Sequence, residues 1–238
     1  FSISRMMFDG PDEELMKTEF TQPAILTASV AVSTVLREHG LTPDVVAGHS
    51  LGEYSALVTA GALSFSDAIH VVHLRGKYMQ EAVPLGEGGM AAIIALDAES
   101  IKDICNTIST EEKPVQAVNF NCPGQVVIAG ATEAVKQACN AMKEAGAKRA
   151  LILPVGGAFH SILMKPAEEE LAAAIEQTHF NKPLCPVYQN VTTTAVTCEA
   201  DIKKNLINQL TAPVKWTQSV QQMIADGASA FIEVGPGK

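Results

Sequence analysis

No apolar run in this chain approaches the ~20 residues needed to cross a bilayer; the longest, such as residues 90–96, stop far short. A transmembrane protein is therefore not expected. Positive charge is scarce, with 17 Lys and Arg against 26 Asp and Glu and a formal net charge of −9. A nucleic-acid binder normally carries a basic stripe, and none appears. The five cysteines are an odd number without CxxC spacing, which argues against a disulfide frame or a zinc site and for reduced thiols in the cytoplasm. No leader-like segment or internal repeat is visible. What is present is a globular composition, 47% hydrophobic and 18% charged, too apolar for a disordered chain. At 238 residues it suits one large domain, or a larger domain carrying an insert. The chain opens on Phe1 and closes on Gly235-Pro236-Gly237-Lys238, and both ends read as cuts through a longer protein.

Periodicity predicts a helix over 21–39, with Pro23 in its first turn and Gly40 at its stop, then a short buried strand over 44–48. Helices follow over 51–60 and from an N-cap at Ser66 to about residue 80. The Gly-rich loop at 86–89 marks a change of pattern. Beyond it, strand-like 90–96, helical 98–107, strand-like 115–121 and 125–130, helical 132–145 and strand-like 148–155 follow the β-α-β-β-α-β plan of a ferredoxin-like module. Residues 90–154 are therefore read as an insert, and residues 1–89 and 155–238 as the body. In the body, a helix over 161–177, a strand over 186–191, helices over 202–210 and 219–226 and a last strand over 230–234 complete an α/β fold with a mostly parallel sheet.

The sharpest chemical signal is Gly48-His49-Ser50-Leu51-Gly52, a GxSxG between a predicted strand and a predicted helix. The bare pattern arises by chance in about one chain in ten of this length, so its context carries the weight. A tight strand-to-helix turn pushes the serine hydroxyl outward and aims backbone N–H groups at the space above it. The bland alternative is a plain structural turn. A nucleophilic serine needs a base. His49 points away from its neighbour; His39, His70, His73 and His179 read as surface or packing residues. His160 follows a Gly-Gly loop and opens a helix, where a helix N-terminus would keep its imidazole neutral; it reads either as the base or as an ordinary first-turn residue. No acid stands out as a third member, and a backbone carbonyl would orient the imidazole equally well. Arg75 lies in an apolar helix and needs an anionic partner. Either a salt bridge to Glu53 or Glu81, or the carboxylate of a substrate, would satisfy it.

With these residues placed, the chain resembles the malonyl-CoA:acyl-carrier-protein transacylase family over essentially its whole length. The likeness rests on the run from Gly48 to Leu57, on Arg75, on Asn119-Phe120-Asn121-Cys122-Pro123-Gly124-Gln125, on Gly157-Ala158-Phe159-His160-Ser161, on Gln209, on Pro213-Val214-Lys215-Trp216 and on Glu233-Val234-Gly235-Pro236-Gly237-Lys238. The resemblance implies an α/β hydrolase-like body with a ferredoxin-like insert, acting as a monomer in the cytoplasm on malonyl-CoA and acyl carrier protein, with no cofactor beyond that substrate. It implies Ser50 as nucleophile, His160 as base, the Gln209 carbonyl as its orienting group, the Leu51 N–H as an oxyanion donor and Arg75 as the malonyl carboxylate clamp. Phe159 corresponds to the malonyl-selective form of its loop, and Asn121 with Lys148 and Arg149 to contacts with pantetheine or phosphate. The family's opening strand with a Gly-Gln-Gly loop and its helical segment beyond the Gly-Pro-Gly turn are absent from this sequence, so the resemblance is to a member lacking both ends. Two other readings share the motif: an esterase or thioesterase that passes the acyl group to water, and an inactive module that only docks carrier protein.

Overall fold

The computed structural model describes residues 2–236; Phe1, Gly237 and Lys238, and with the last two the end of the Gly-Pro-Gly motif, lie outside the described residues. Two short helices, α1 (Ile3–Asp9) and α2 (Asp12–Leu15), open the chain. Neither was legible, because neither contributes a buried residue and so neither carries an apolar period. The long helix α3 (Thr18–Glu38) starts three residues earlier than its periodicity suggests. Pro23 is consequently inside the helix, not in its first turn. A proline there orphans the carbonyl four residues back, and that carbonyl, of Glu19, accepts a hydrogen bond from His73 Nδ1 at 3.1 Å.

His73 lies on α5 (Phe65–Glu81), whose N-cap is Ser64, accepting from the Asp67 N–H at 3.0 Å, two residues before the expected Ser66. The buried residues of α5, namely Ala68, Val71, Val72, Arg75, Gly76 and Met79, form one helical stripe facing α3. At Gly76 the α3 backbone comes so close that a Cβ would stand 2.5 Å from the Thr18 carbonyl oxygen. This close crossing is what sets Gln22 of α3 against Arg75 of α5.

Between these helices run β1 (Val46–Ala47) and α4 (Gly52–Thr59). After α5 come β2 (Gly88–Ile94), α6 (Ala98–Ile108), β3 (Val115–Cys122), β4 (Gln125–Ala131), α7 (Thr132–Glu144) and β5 (Arg149–Ile152). They build a four-stranded sheet in the order β3-β4-β2-β5, antiparallel at every pairing. Helices α6 and α7 cover one face with Ile101, Cys105, Val135, Ala138 and Met142, which close a core of their own.

The remaining elements are α8 (Lys165–Gln177), entered through a 3₁₀ turn at Ile162–Met164, then β6 (Val187–Tyr188), β7 (Ala195–Val196), α9 (Glu199–Asn208) and α10 (Trp216–Ala225). Leu26, Tyr54, Leu57, Val72, Leu171 and Ile202 belong to the second, larger core. Its sheet is mixed and small: β1 pairs in parallel with β6, and β6 pairs antiparallel with β7. The expectation of a mostly parallel sheet is corrected here. Alternating helices and strands favour parallel pairing, but β7 follows β6 through a short turn and so returns antiparallel. Nor do residues 230–234 form a strand; Phe231 and Ile232 are exposed, and no described strand pairs with them. Periodicity signals a strand, but a ladder also needs a partner edge. The four-stranded sheet meets the rest of the chain at a seam where Val214, between α9 and α10, exchanges backbone hydrogen bonds with Val118 and Phe120 of β3 at 2.8 and 2.9 Å. Among the described residues no helix is long and apolar enough to cross a membrane.

Candidate active site

Because β1 and β6 are parallel and in register (Ala47 opposite Tyr188), their C-terminal ends reach the same edge of the sheet. The chain leaves β1 into Gly48-His49-Ser50 and leaves β6 into Gln189-Asn190. Asn190 therefore arrives beside the turn and holds it from both sides: its Oδ1 accepts from the Ser50 N–H at 2.7 Å, and its Nδ2 donates to the Gly48 carbonyl at 2.7 Å. Ser50 is held at φ +52°, a left-handed conformation that costs a non-glycine residue about 1–3 kcal/mol. Gly48 is obligatory for a different reason. A Cβ there would stand 1.9 Å from the Gly52 carbonyl carbon and 2.4 Å from the Glu53 nitrogen. The second glycine of the motif is not equivalent, since a Cβ on Gly52 would meet nothing within 4 Å. The steric demand of the elbow rests on the first glycine.

The Ser50 hydroxyl lies 2.7 Å from His160 Nε2. His160 Nδ1 lies 2.8 Å from the Gln209 carbonyl oxygen. A carbonyl only accepts, so Nδ1 carries the proton and the Nε2 lone pair faces the serine O–H. His160 is buried. Burial first, and the Arg75 charge second, push its pKa down from 6.5 to about 3. The helix N-terminus expected to keep it neutral is not where it sits: His160 occupies a turn at φ +62°, and Ser161 after it caps the 3₁₀ turn. The imidazole is kept neutral by desolvation and a neighbouring cation.

Arg75 is 1% exposed and reaches the same point. Its Nη2 donates to Ser50 Oγ at 2.9 Å and to Gln209 Oε1 at 3.0 Å, and its Nη1 donates to Gln22 Oε1 at 2.6 Å. Among the described residues it has no ion pair, so the expected alternative of a salt bridge to Glu53 or Glu81 does not hold. Glu53 instead accepts from the Asn190 N–H at 2.6 Å and from Gln209 Nε2. Burial pushes Glu53 up to about 8, against the pull of those two bonds and of Arg75. Gln209 Nε2 also donates to the Ser50 carbonyl at 3.0 Å.

The structure thus brings Ser50, His160, Arg75 and Gln209 into one hydrogen-bonded group. Leu51 closes the turn ahead of α4, and its N–H has no partner among the described residues, whereas the Ser50 N–H is taken by Asn190. Asn121, on β3 at the seam, reaches the adjacent residue: its Oδ1 accepts from His49 Nε2 at 2.9 Å, and His49 packs edge-on against Trp216. Phe159 is half-buried and packs on both sides of the seam. Lys148 is exposed just before β5, Arg149 is exposed at its first residue, and neither hydrogen-bonds to the group. Sequence reasoning missed Gln22 and Asn190 as members and named Glu53 only as a salt-bridge partner of Arg75. The one signal available was at Glu53, the single charged residue of α4.

This arrangement offers a neutral base on a serine hydroxyl, a free N–H at a helix start and a buried guanidinium, the parts needed to carry an acyl group as an ester and to hold a negative charge beside it. Comparison with known proteins agrees with that chemistry. The profile of the family described as acyl transferase domain matches residues 1–237. The malonyl CoA-acyl carrier protein transacylase of Bacillus subtilis (strain 168) is 50% identical over 236 residues, covering 99% of this chain and 74% of that protein. The crystal structure of an acyl carrier protein S-malonyltransferase from Vibrio cholerae superposes with a TM-score of 0.97 at 51% identity, covering 100% of this chain and 78% of that one. A type II PKS acyl-carrier protein in complex with its malonyl-transacylase gives a TM-score of 0.97 at 49% identity, over 100% of this chain and 77% of that one.

Proposed function

The chain belongs to the acyl transferase domain family, and we propose that it moves a malonyl group from malonyl-CoA to the pantetheine thiol of acyl carrier protein, supplying fatty-acid synthesis, through an ester on Ser50. The observation that carries this reading is the meeting of three groups at one oxygen: Ser50 Oγ stands 2.7 Å from His160 Nε2 and 2.9 Å from Arg75 Nη2.

In the first half-reaction His160 Nε2 takes the Ser50 proton as Oγ attacks the thioester carbonyl carbon. The carbonyl oxygen becomes an oxyanion, which the Leu51 N–H stabilises at the start of α4. The C–S bond breaks, and the imidazolium returns its proton to the departing CoA sulfur. The Gln209 carbonyl accepts from Nδ1–H throughout and so holds the ring in one tautomer. In the second half-reaction a pantetheine thiol gives its proton to His160, its sulfur attacks the ester carbonyl, and Ser50 leaves with the proton. Arg75 pairs with the distal carboxylate of the malonyl group. Its guanidinium is buried without a counter-ion in contact, and an acyl group lacking a carboxylate leaves it so, which favours malonyl over acetyl. Phe159 narrows the same site toward unbranched malonyl.

The body is read as residues 1–89 and 155–238 in a hydrolase-like arrangement, with residues 90–154 as a ferredoxin-like insert; the antiparallel order β3-β4-β2-β5 supports such an insert, but its first strand already begins at Gly88, two residues before that boundary. The protein works as a monomer, and its place is the cytoplasm, where thiols such as its five cysteines stay reduced. The test is product analysis: the chain incubated with malonyl-CoA and pantetheine-bearing carrier protein is expected to yield the malonyl thioester of the carrier. Release of free malonate alone would assign it to hydrolysis instead.

A further inference from the structure

Glu53 is fully buried in the first turn of α4, three residues after Ser50 and beneath the elbow. Both of its oxygens face donors, the Asn190 N–H at 2.6 Å and Gln209 Nε2. Gln209 is itself fully buried and lies between Glu53 and Arg75. Both Glu53 oxygens face N–H donors and neither faces an acceptor, so the carboxyl group meets Gln209 as an acceptor, whereas a guanidinium only donates. The amide between them satisfies both in one orientation alone, with Nε2 toward Glu53 and Oε1 toward Arg75. Turned over, it would set oxygen against oxygen on one side and N–H against N–H on the other, and the Ser50 carbonyl would lose its donor. The same residue's backbone carbonyl holds His160.

We propose that Glu53 is a positioning residue whose buried carboxyl group locks the polarity of the Gln209 amide, and through that amide aims Arg75 at the acyl site. Through Asn190 the same carboxyl group steadies the elbow, so one buried group sets the serine and its clamp relative to each other. This inference rests on the acyl-transfer reading and deepens it.

The substitution Glu53→Gln tests it, because a glutamine at 53 presents an N–H₂ where only acceptors fit. Acylation of the serine is followed with malonyl-CoA and with acetyl-CoA on one protein sample. Malonyl acylation is expected to fall more than acetyl acylation, so that the ratio of the two rates narrows by ~10-fold or more. A purely structural role would lower both rates by one factor; that result, or unchanged rates, overturns the proposal. Should E53Q fail to fold, neutron diffraction on the unmodified protein reads the same point. Deuterons on the Gln209 atom facing Glu53 support the proposal, and deuterons on the atom facing Arg75 overturn it. The two readings fail separately: no acylation of the unmodified protein by malonyl-CoA refutes acyl transfer, whereas normal acylation of both proteins refutes only the role of Glu53.

Discussion

Removing the Arg75 side chain has two costs that separate cleanly. The first is to the fold. Gln22 Oε1 and Gln209 Oε1 accept from the guanidinium at 2.6 and 3.0 Å, and both glutamines are buried. Arg75→Ala leaves two buried acceptors unpaired at about 1–3 kcal/mol each, so about 2–6 kcal/mol of stability is lost. The second cost falls on one substrate only. A malonyl carboxylate entering a desolvated site without its cation loses about 3–5 kcal/mol, which is a factor of roughly 10²–10⁴ in rate. Acetyl has no carboxylate to lose. The assay sets malonyl-CoA and acetyl-CoA in competition for the same serine and reads the two acyl-enzymes by intact mass. Because both are formed by the same folded fraction, the instability cancels in the ratio. The malonyl preference is expected to collapse by ~10²-fold or more, and a preference within ~3-fold of the unmodified protein would refute the clamp.

Other expectations follow from the same geometry. With its pKa pushed down to about 3, His160 is neutral across the physiological range, so the acylation rate should show no falling limb near pH 6.5; a limb centred there would mean that the imidazole titrates as a solvated one. The sign for stability follows from linkage: the unfolded chain protonates His160 below 6.5 and the folded chain does not until about 3, so this group's contribution is lost as the pH falls through that window. Glu53, raised from 4.5 to about 8, acts oppositely and lowers stability as the pH rises between those values. Acid and base unfolding of His160→Gln and Glu53→Gln should each lose the corresponding slope. Gly48→Ala drives a Cβ into the backbone of Gly52 and Glu53, and chemical denaturation should show a loss of more than about 4 kcal/mol. Gly52→Ala meets nothing and sits at a helix start, so its folding stability should match or slightly exceed that of the parent.

The elbow was readable because its chemistry is local: strand, glycine, serine and helix are consecutive. Arg75 was readable as a cation in an apolar helical stripe, and His160 as the histidine left after a glycine loop. The partners that hold them were not, because they are set by topology. Asn190 reaches Ser50 across 140 positions through the parallel pairing of two two-residue strands, and Gln209 reaches it across 159 from the C-terminal end of α9. Such short strands carry no alternation to read. Gln22 meets Arg75 only because Gly76 lets α3 and α5 cross closely. The source of His160's neutrality was misplaced for a related reason, since burial depends on what the rest of the chain stacks over a residue. In the other direction, residues 230–234 show that an apolar alternating stretch does not make a strand without an edge to pair with.

The central claim is that Ser50 carries the malonyl group. Peptide mapping after mixing the protein with malonyl-CoA measures it directly. One malonyl ester on the peptide containing Ser50, absent from Ser50→Ala, is the predicted result; a malonyl group on another residue, or an unmodified protein beside consumed malonyl-CoA, would contradict it.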